Sequence, residues 1–152
     1  MLGLFKRKPV NYFSEAEKQL IVQAIEQAEH RTNGEVRIYI ESHCNADPVQ
    51  RAKQVFEELT MQQTAARNGV LVYLAMKDRK LAVYGDEGIH AKVGESFWNA
   101  EVTKILAHFD QQNYTSGIVS MIQAIGEALA EHFPYDAKTD SNELPDDIVF
   151  GK

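Results

Sequence analysis

With 152 residues and a formal charge of −6, the chain has the length of a single domain and a field that repels phosphate backbones, which argues against a nucleic-acid partner. Its apolar share of 44% and charged share of 25% are those of an ordinary folded protein, large enough to bury a core without staples. The single cysteine, Cys44, excludes an intramolecular disulfide and a paired-cysteine zinc site, and fits a reducing, cytoplasmic setting.

The first segment, MLGLFKRKP, places its apolar residues ahead of its basic cluster, unlike a secretory signal, and residues 1–12 read as a flexible lead. No stretch approaches the roughly 20 apolar residues of a membrane span, so the expectation is a monomer with no transmembrane segment. Ser14 and Glu17 have the spacing of a capping box, and Leu20, Ile21, Ala24, Ile25 and Ala28 follow at helical intervals. Thr32-Asn33-Gly34 is expected to stop that helix with a left-handed cap.

Glu35 to Glu41 (EVRIYIE) alternates Val36, Ile38 and Ile40 with Arg37 and Tyr39, the period of a half-buried strand. Asp47 with Pro48 behind it starts a helix whose apolar face is Ala52, Val55, Phe56 and Leu59. Val70 to Leu74 is a continuous apolar run, the pattern of a strand covered on both faces. The two strands and their connecting helix make a right-handed βαβ unit with parallel strands. Lys77-Asp78-Arg79-Lys80 is too short for a crossover, so Leu81 to Tyr84 must return as an antiparallel hairpin strand.

Gly85-Asp86-Glu87-Gly88 then forms an acidic loop whose glycines permit unusual backbone angles. A long helix carries Phe97, Trp98, Val102, Ile105, Leu106 and Phe109, and another carries Ile118 to Phe133, the two separated by a polar break at residues 110–113. Residues 134–152 are acidic and rich in turn formers, and read as an irregular tail after a domain spanning residues 13–133. The predicted order is α-β-α-β-β-α-α, an α/β fold with helices on both faces of a small mixed sheet.

Chain direction decides which loops meet. Asn33-Gly34-Glu35, Asn68-Gly69 and Gly85-Asp86-Glu87-Gly88 are expected at one end of the sheet, which gathers Glu35, Asp86 and Glu87 with the amide of Asn68. Carboxylate and amide oxygens drawn from separate loops suit a hard cation such as Ca²⁺. The plainer alternative has Asn-Gly pairs as connectors and the acids as helix-start residues favoured by the macrodipole. The opposite end collects Glu41, His43, Cys44, Asp47, Lys77, Asp78 and Arg79, where ligands of open α/β sheets usually lie. Neighbouring side chains such as His43 and Cys44 diverge, so a cysteine–histidine nucleophile is weakly signalled, and no phosphate-cradling, dinucleotide or nucleophile-elbow motif occurs.

The stretches RNGVLVYLA (67–75), GDEGI (85–89), NGEVR (33–37) and FDQQNYTSG (109–117), in this order and spacing, resemble the TPM domain family. The resemblance covers residues 13–133. It implies a three-layer α/β/α sandwich and a divalent metal, often calcium, held by Glu35, Asp86 and Glu87 with Asn68 as neighbour. It also implies the acid phosphatase activity attributed to plant members, although the family has no uniform mechanism. The chain resembles the short soluble bacterial branch.

Three functions follow. One is a calcium-binding module acting through a protein partner or in protein maintenance. A second is a metal-assisted phosphomonoesterase, for which Arg31, Arg37 and Arg67 are the candidate clamps. The third is a structural domain without ligand.

Overall fold

The computed structural model describes residues 12–110, 113–136 and 148–151. Helix α1 (Glu15–Glu29) opens on the expected capping box: Ser14 Oγ accepts from the Glu17 amide, and Glu17 Oε1 accepts from the Ser14 amide at 2.9 Å. It ends at His30 with ordinary right-handed angles rather than at a left-handed cap. Its chain is instead turned by Thr32, whose hydroxyl accepts from the Gly34 amide and donates to the Phe133 carbonyl.

β1 (Glu35–Glu41) and β2 (Gly69–Ala75) run parallel around α2 (Pro48–Glu58), and β3 (Lys80–Gly85) returns antiparallel to β2. The predicted βαβ unit and hairpin are thus both present. Asp47 caps α2 by accepting from the Val49 amide at 2.8 Å. Three helices follow: α3 (Glu87–Val93), α4 (Glu95–Asp110) and α5 (Tyr114–His132). The seven-residue α3 was not predicted, because Gly88 and Gly94 flank too short an apolar pattern; Gly94 ends it at φ 76°.

The apolar run of β2 divides between the two faces. Val70, Val72 and Leu74 join Val36, Ile38 and Ile40 under α1, α4 and α5, forming the larger core. Leu71, Tyr73 and Ala75 point the other way, against Ala52, Val55 and Phe56 of α2. All seven β2 residues are buried, as a strand clad on both sides requires. Each fully buried aliphatic side chain among them contributes about 1.5–3 kcal/mol. Among the described residues the sandwich is therefore lopsided, with most helices on one face and α2 alone on the other.

The region read as an irregular tail needs correction at its end. Ile148–Phe150 forms β4, parallel to β1 with Ile38 opposite Ile148 and Ile40 opposite Phe150, giving the order β3-β2-β1-β4. Alternation is invisible in three residues, and only the neighbouring β1 edge makes them a strand. The expectation for residues 1–11 lies outside the described residues. Among the described residues no helix is long and apolar enough to cross a membrane.

Candidate functional site

The register brings the predicted loops together. Glu35 lies opposite Gly69 and Val70 opposite Gly85, so the starts of β1 and β2 and the end of β3 share one edge. Backbone bonds stitch the loops: the Glu35 amide donates to the Asn68 carbonyl at 3.3 Å, the Asp86 amide to Gly69 at 2.9 Å and the Gly88 amide to Arg67 at 2.8 Å. Glu35, Asn68 and Asp86 are buried there, whereas the Glu87 side chain is 73% exposed.

The glycines of the acidic loop serve space rather than backbone angle, since neither has positive φ. A Cβ on Gly88 would sit 2.1 Å from the Ala66 carbonyl oxygen, and one on Gly85 would meet the Trp98 ring at 2.4 Å. The loops are pressed together to a degree that only glycine permits.

Arg67 organises this end. Its backbone takes the left-handed φ of 51°, and its guanidinium grips Asp86 with two bonds, Nε to Oδ2 at 2.7 Å and Nη2 to Oδ1 at 2.8 Å. A third bond, Nη1 to Glu87 Oε1, is longer at 3.3 Å. Asp86 Oδ1 also accepts from the Glu87 amide as the N-cap of α3. Hydrogen bonding to Asp86 is the main cause that raises the Arg67 guanidinium above its ordinary range, so it stays charged throughout. Sequence reading listed Arg67 only as one of three phosphate clamps; its pairing with Asp86, 19 residues on, exists only through the hairpin.

Beside this pair lies a cavity of about 400 Å³ whose lining includes Arg67, Glu87, His90, Glu95 and Trp98. Trp98 Nε1 donates to His90 Nδ1 at 3.0 Å, which leaves the His90 proton on Nε2. The cavity went unforeseen because its walls come from α2, the Arg67 loop, β3, α3 and α4, and α3 was not predicted.

The predicted cation donors fit in part. Asn68 Oδ1 is buried without a hydrogen-bond partner among the described residues, an oxygen with capacity to spare. Asp86, in contrast, has both oxygens committed to Arg67 and the α3 cap. Among the described residues no three His, Cys, Asp or Glu side chains are grouped to hold a metal ion.

The opposite end holds a different network. Glu41 accepts from Arg51 Nε at 2.9 Å and Nη2 at 3.0 Å, and from the Tyr73 hydroxyl. Burial first, and the Glu41 bond second, push the Tyr73 phenol above its usual range. The Arg51 guanidinium is raised chiefly by its bonds to Glu41. Cys44 is buried, with Sγ directed to the Ala46 carbonyl at 3.2 Å, while His43 turns to Asp78 Oδ1 at 3.1 Å. The two neighbours diverge as expected, and no cysteine–histidine pair forms. The Cys44 amide first, and His43 second, hold the Asp78 carboxyl below its usual range.

These features define an α/β/α domain with a three-loop acidic end. The chain belongs to the TPM domain family, whose pattern it matches over residues 7–128. Among solved structures it is similar to the BA42 protein of the psychrophilic bacterium Bizionia argentinensis, with 38% identity and a TM-score of 0.85 over 93% of this chain and 97% of that one. It also resembles the N-terminal domain of cg2496 from Corynebacterium glutamicum, with 12% identity and a TM-score of 0.60 over 90% of this chain and 80% of that one. An N-terminal domain from P. gingivalis gives 16% identity and a TM-score of 0.67 over 83% of each chain. The last two likenesses concern the fold alone. No curated protein matches the chain.

Proposed function

We propose that the domain is a binding module whose acidic sheet end takes a divalent cation, calcium by the chemistry of its donors, through oxygens of Glu35, Asn68, Asp86 and Glu87. The observation that carries this reading is Asn68 Oδ1, buried and without a hydrogen-bond partner among the described residues, where three loops bearing these carboxylates are stitched edge to edge. A hard cation accepts neutral amide and charged carboxylate oxygens together, and a buried amide oxygen left unmatched costs about 1–3 kcal/mol. Cation binding here would supply charge neutralisation and hold loop shape; the module acts through a protein partner, as a cytoplasmic monomer.

A phosphomonoesterase reading is less well supported. Arg67, the clamp nearest the acidic loop, is already spent on Asp86 and Glu87, and Cys44, the one thiol, is buried away from His43. Calcium chloride titrated into labelled protein is expected to shift the amides of residues 33–35, 68–69 and 85–88. A spectrum in which those amides stay still while calcium is saturating would refute the reading.

A further inference from the structure

The chain closes one edge of its sheet and leaves the other. β4 covers β1, whereas β3 has β2 on one side and, among the described residues, no strand on the other. The Asp86 amide donates to the Gly69 carbonyl at 2.9 Å, so these two residues form a hydrogen-bonded pair of the β2–β3 ladder. Alternation along an antiparallel pair then turns the backbone groups of Tyr84, Ala82 and Lys80 toward β2. The N–H and C=O groups of Leu81, Val83 and Gly85 point away from it, to the open side. Nothing blunts this edge, since the stretch LAVYG (81–85) holds no charge, no proline and no bulge.

That edge is the floor of a trough. The cavity of about 400 Å³ described above is lined by Val83, Tyr84 and Gly85 along the strand, by Val49 of α2 on one side and by Trp98 and Asn99 of α4 on the other. Its volume is that of a small ligand cleft. Val49 is 55% exposed, an apolar side chain that the fold leaves in water, and Trp98 stands against Gly85. The walls at the Gly85 end are acidic. Asp86, Glu87 and Glu95 are set there against a single guanidinium, that of Arg67, which is already bonded to Asp86 and Glu87. Glu95 is exposed and makes no ion pair among the described residues.

We infer that this trough docks an extended segment of a partner protein, which pairs with β3 as a fifth strand and sets a lysine or arginine against Glu95 and Glu87. Strand addition draws affinity from the free backbone groups of Val83 and Gly85, and the walls select the side chains. An antiparallel segment, the more stable pairing, enters with its N-terminal residues at the acidic end, so its basic residue precedes its apolar ones. A second copy of this chain fits poorly. Its own β3 lies between the same two helices and cannot reach the floor, and its walls carry the same negative charge. The inference rests on the binding-module reading above and names the partner's chemistry; the cation plays no part in it.

The test adds a peptide of sequence KVKVTVT, blocked at both ends, to the labelled full chain in EDTA. It is expected to bind with a Kd below about 1 mM. It should move the amides of Val83 and Gly85 downfield by more than those of Ala82 and Tyr84, which β2 already holds. N-methylation of alternate peptide residues should abolish binding for one set and spare the other, because only every second amide faces β3. The counterpart EVEVTVT should bind severalfold more weakly. Glu95→Lys should reverse that preference, while Glu131→Lys, at an exposed acid elsewhere, should leave it as it is. Absence of binding at that concentration, equal loss from both N-methylated sets, or equal effects of the two lysine variants would overturn the inference. So would a concentration-dependent dimer, or contacts from residues 1–11 at Val83 and Gly85 in the free protein, since the edge would then be filled already. A repeat with calcium chloride keeps the two readings apart. Amides of residues 33–35 and 85–88 that ignore calcium while the peptide binds refute the cation alone; calcium shifts without peptide binding refute the docking alone.

Discussion

Replacing Arg51 by Leu removes the guanidinium that holds Glu41 at the carboxyl end of β1. The Glu41 side chain is 10% exposed and the Arg51 side chain 22%, so the pair is screened by solvent only at its rim. Removing one partner of a buried pair costs about 3–5 kcal/mol, because the other charge stays buried without compensation. Here Tyr73 still donates to Glu41 and the rim is wet, which brings the expected loss to about 2–3 kcal/mol. For a chain of this size that corresponds to roughly 4–12 °C in Tm, measured by thermal unfolding with urea titration as a second probe. Adding Glu41→Gln removes the stranded charge and keeps an acceptor for Tyr73, so the double variant should be more stable than Arg51→Leu alone. Strict additivity of the two single losses would refute the coupling, since a cycle on groups in contact must show an interaction term.

Gly88→Ala should be strongly destabilising, by more than about 2 kcal/mol, because its Cβ meets carbonyl oxygens of residues 66 and 67, whereas Gly94→Ala meets nothing within 4 Å and should cost about 1–3 kcal/mol through backbone strain alone, because φ 76° with ψ 168° is a conformation that glycine adopts almost exclusively; urea midpoints read both losses. The pH dependence follows from Asp78, whose folded carboxyl lies below its ordinary value of 3.8. A depressed carboxyl adds stability above the unfolded pKa and loses it as pH falls through the folded one. Asp78→Asn should therefore be less stable than the parent at neutral pH, and the two should converge in acid below pH 3.8; a constant gap down to pH 2 would refute this. Deleting residues 148–152 uncovers the β1 edge at Ile38 to Ile40 and should lower Tm and promote self-association, read by size-exclusion chromatography.

The layers were legible in the residues because each rested on a period or a punctuation mark. Alternation in β1, the continuous run of β2 and the four-residue connection to β3 fixed strand order and direction, and with them the meeting of Glu35, Asn68, Asp86 and Glu87 at one end. What escaped were the side-chain pairings between elements and the shortest elements themselves. The pairing of Arg67 with Asp86 and of Arg51 with Glu41 and Tyr73 joins residues on different elements, with no local spacing to announce it. Strand β4 and helix α3 are too short to carry a period. The role of Gly85 and Gly88 was misassigned because a sequence shows that a side chain is missing but not which neighbour fills the space.

Unequal cladding of the sheet has a dynamic consequence. Among the described residues the face over Leu71, Tyr73 and Ala82 is closed by one eleven-residue helix, and Arg51 is the pin near that helix's beginning. Lifting α2 uncovers only that smaller set of side chains, while the larger layer of helices keeps its own packing. Partial unfolding should start there, and in hydrogen exchange the α2 amides should be lost well before those of α5, whose inward residues Ile118, Ile122, Ile125 and Leu129 are wholly buried.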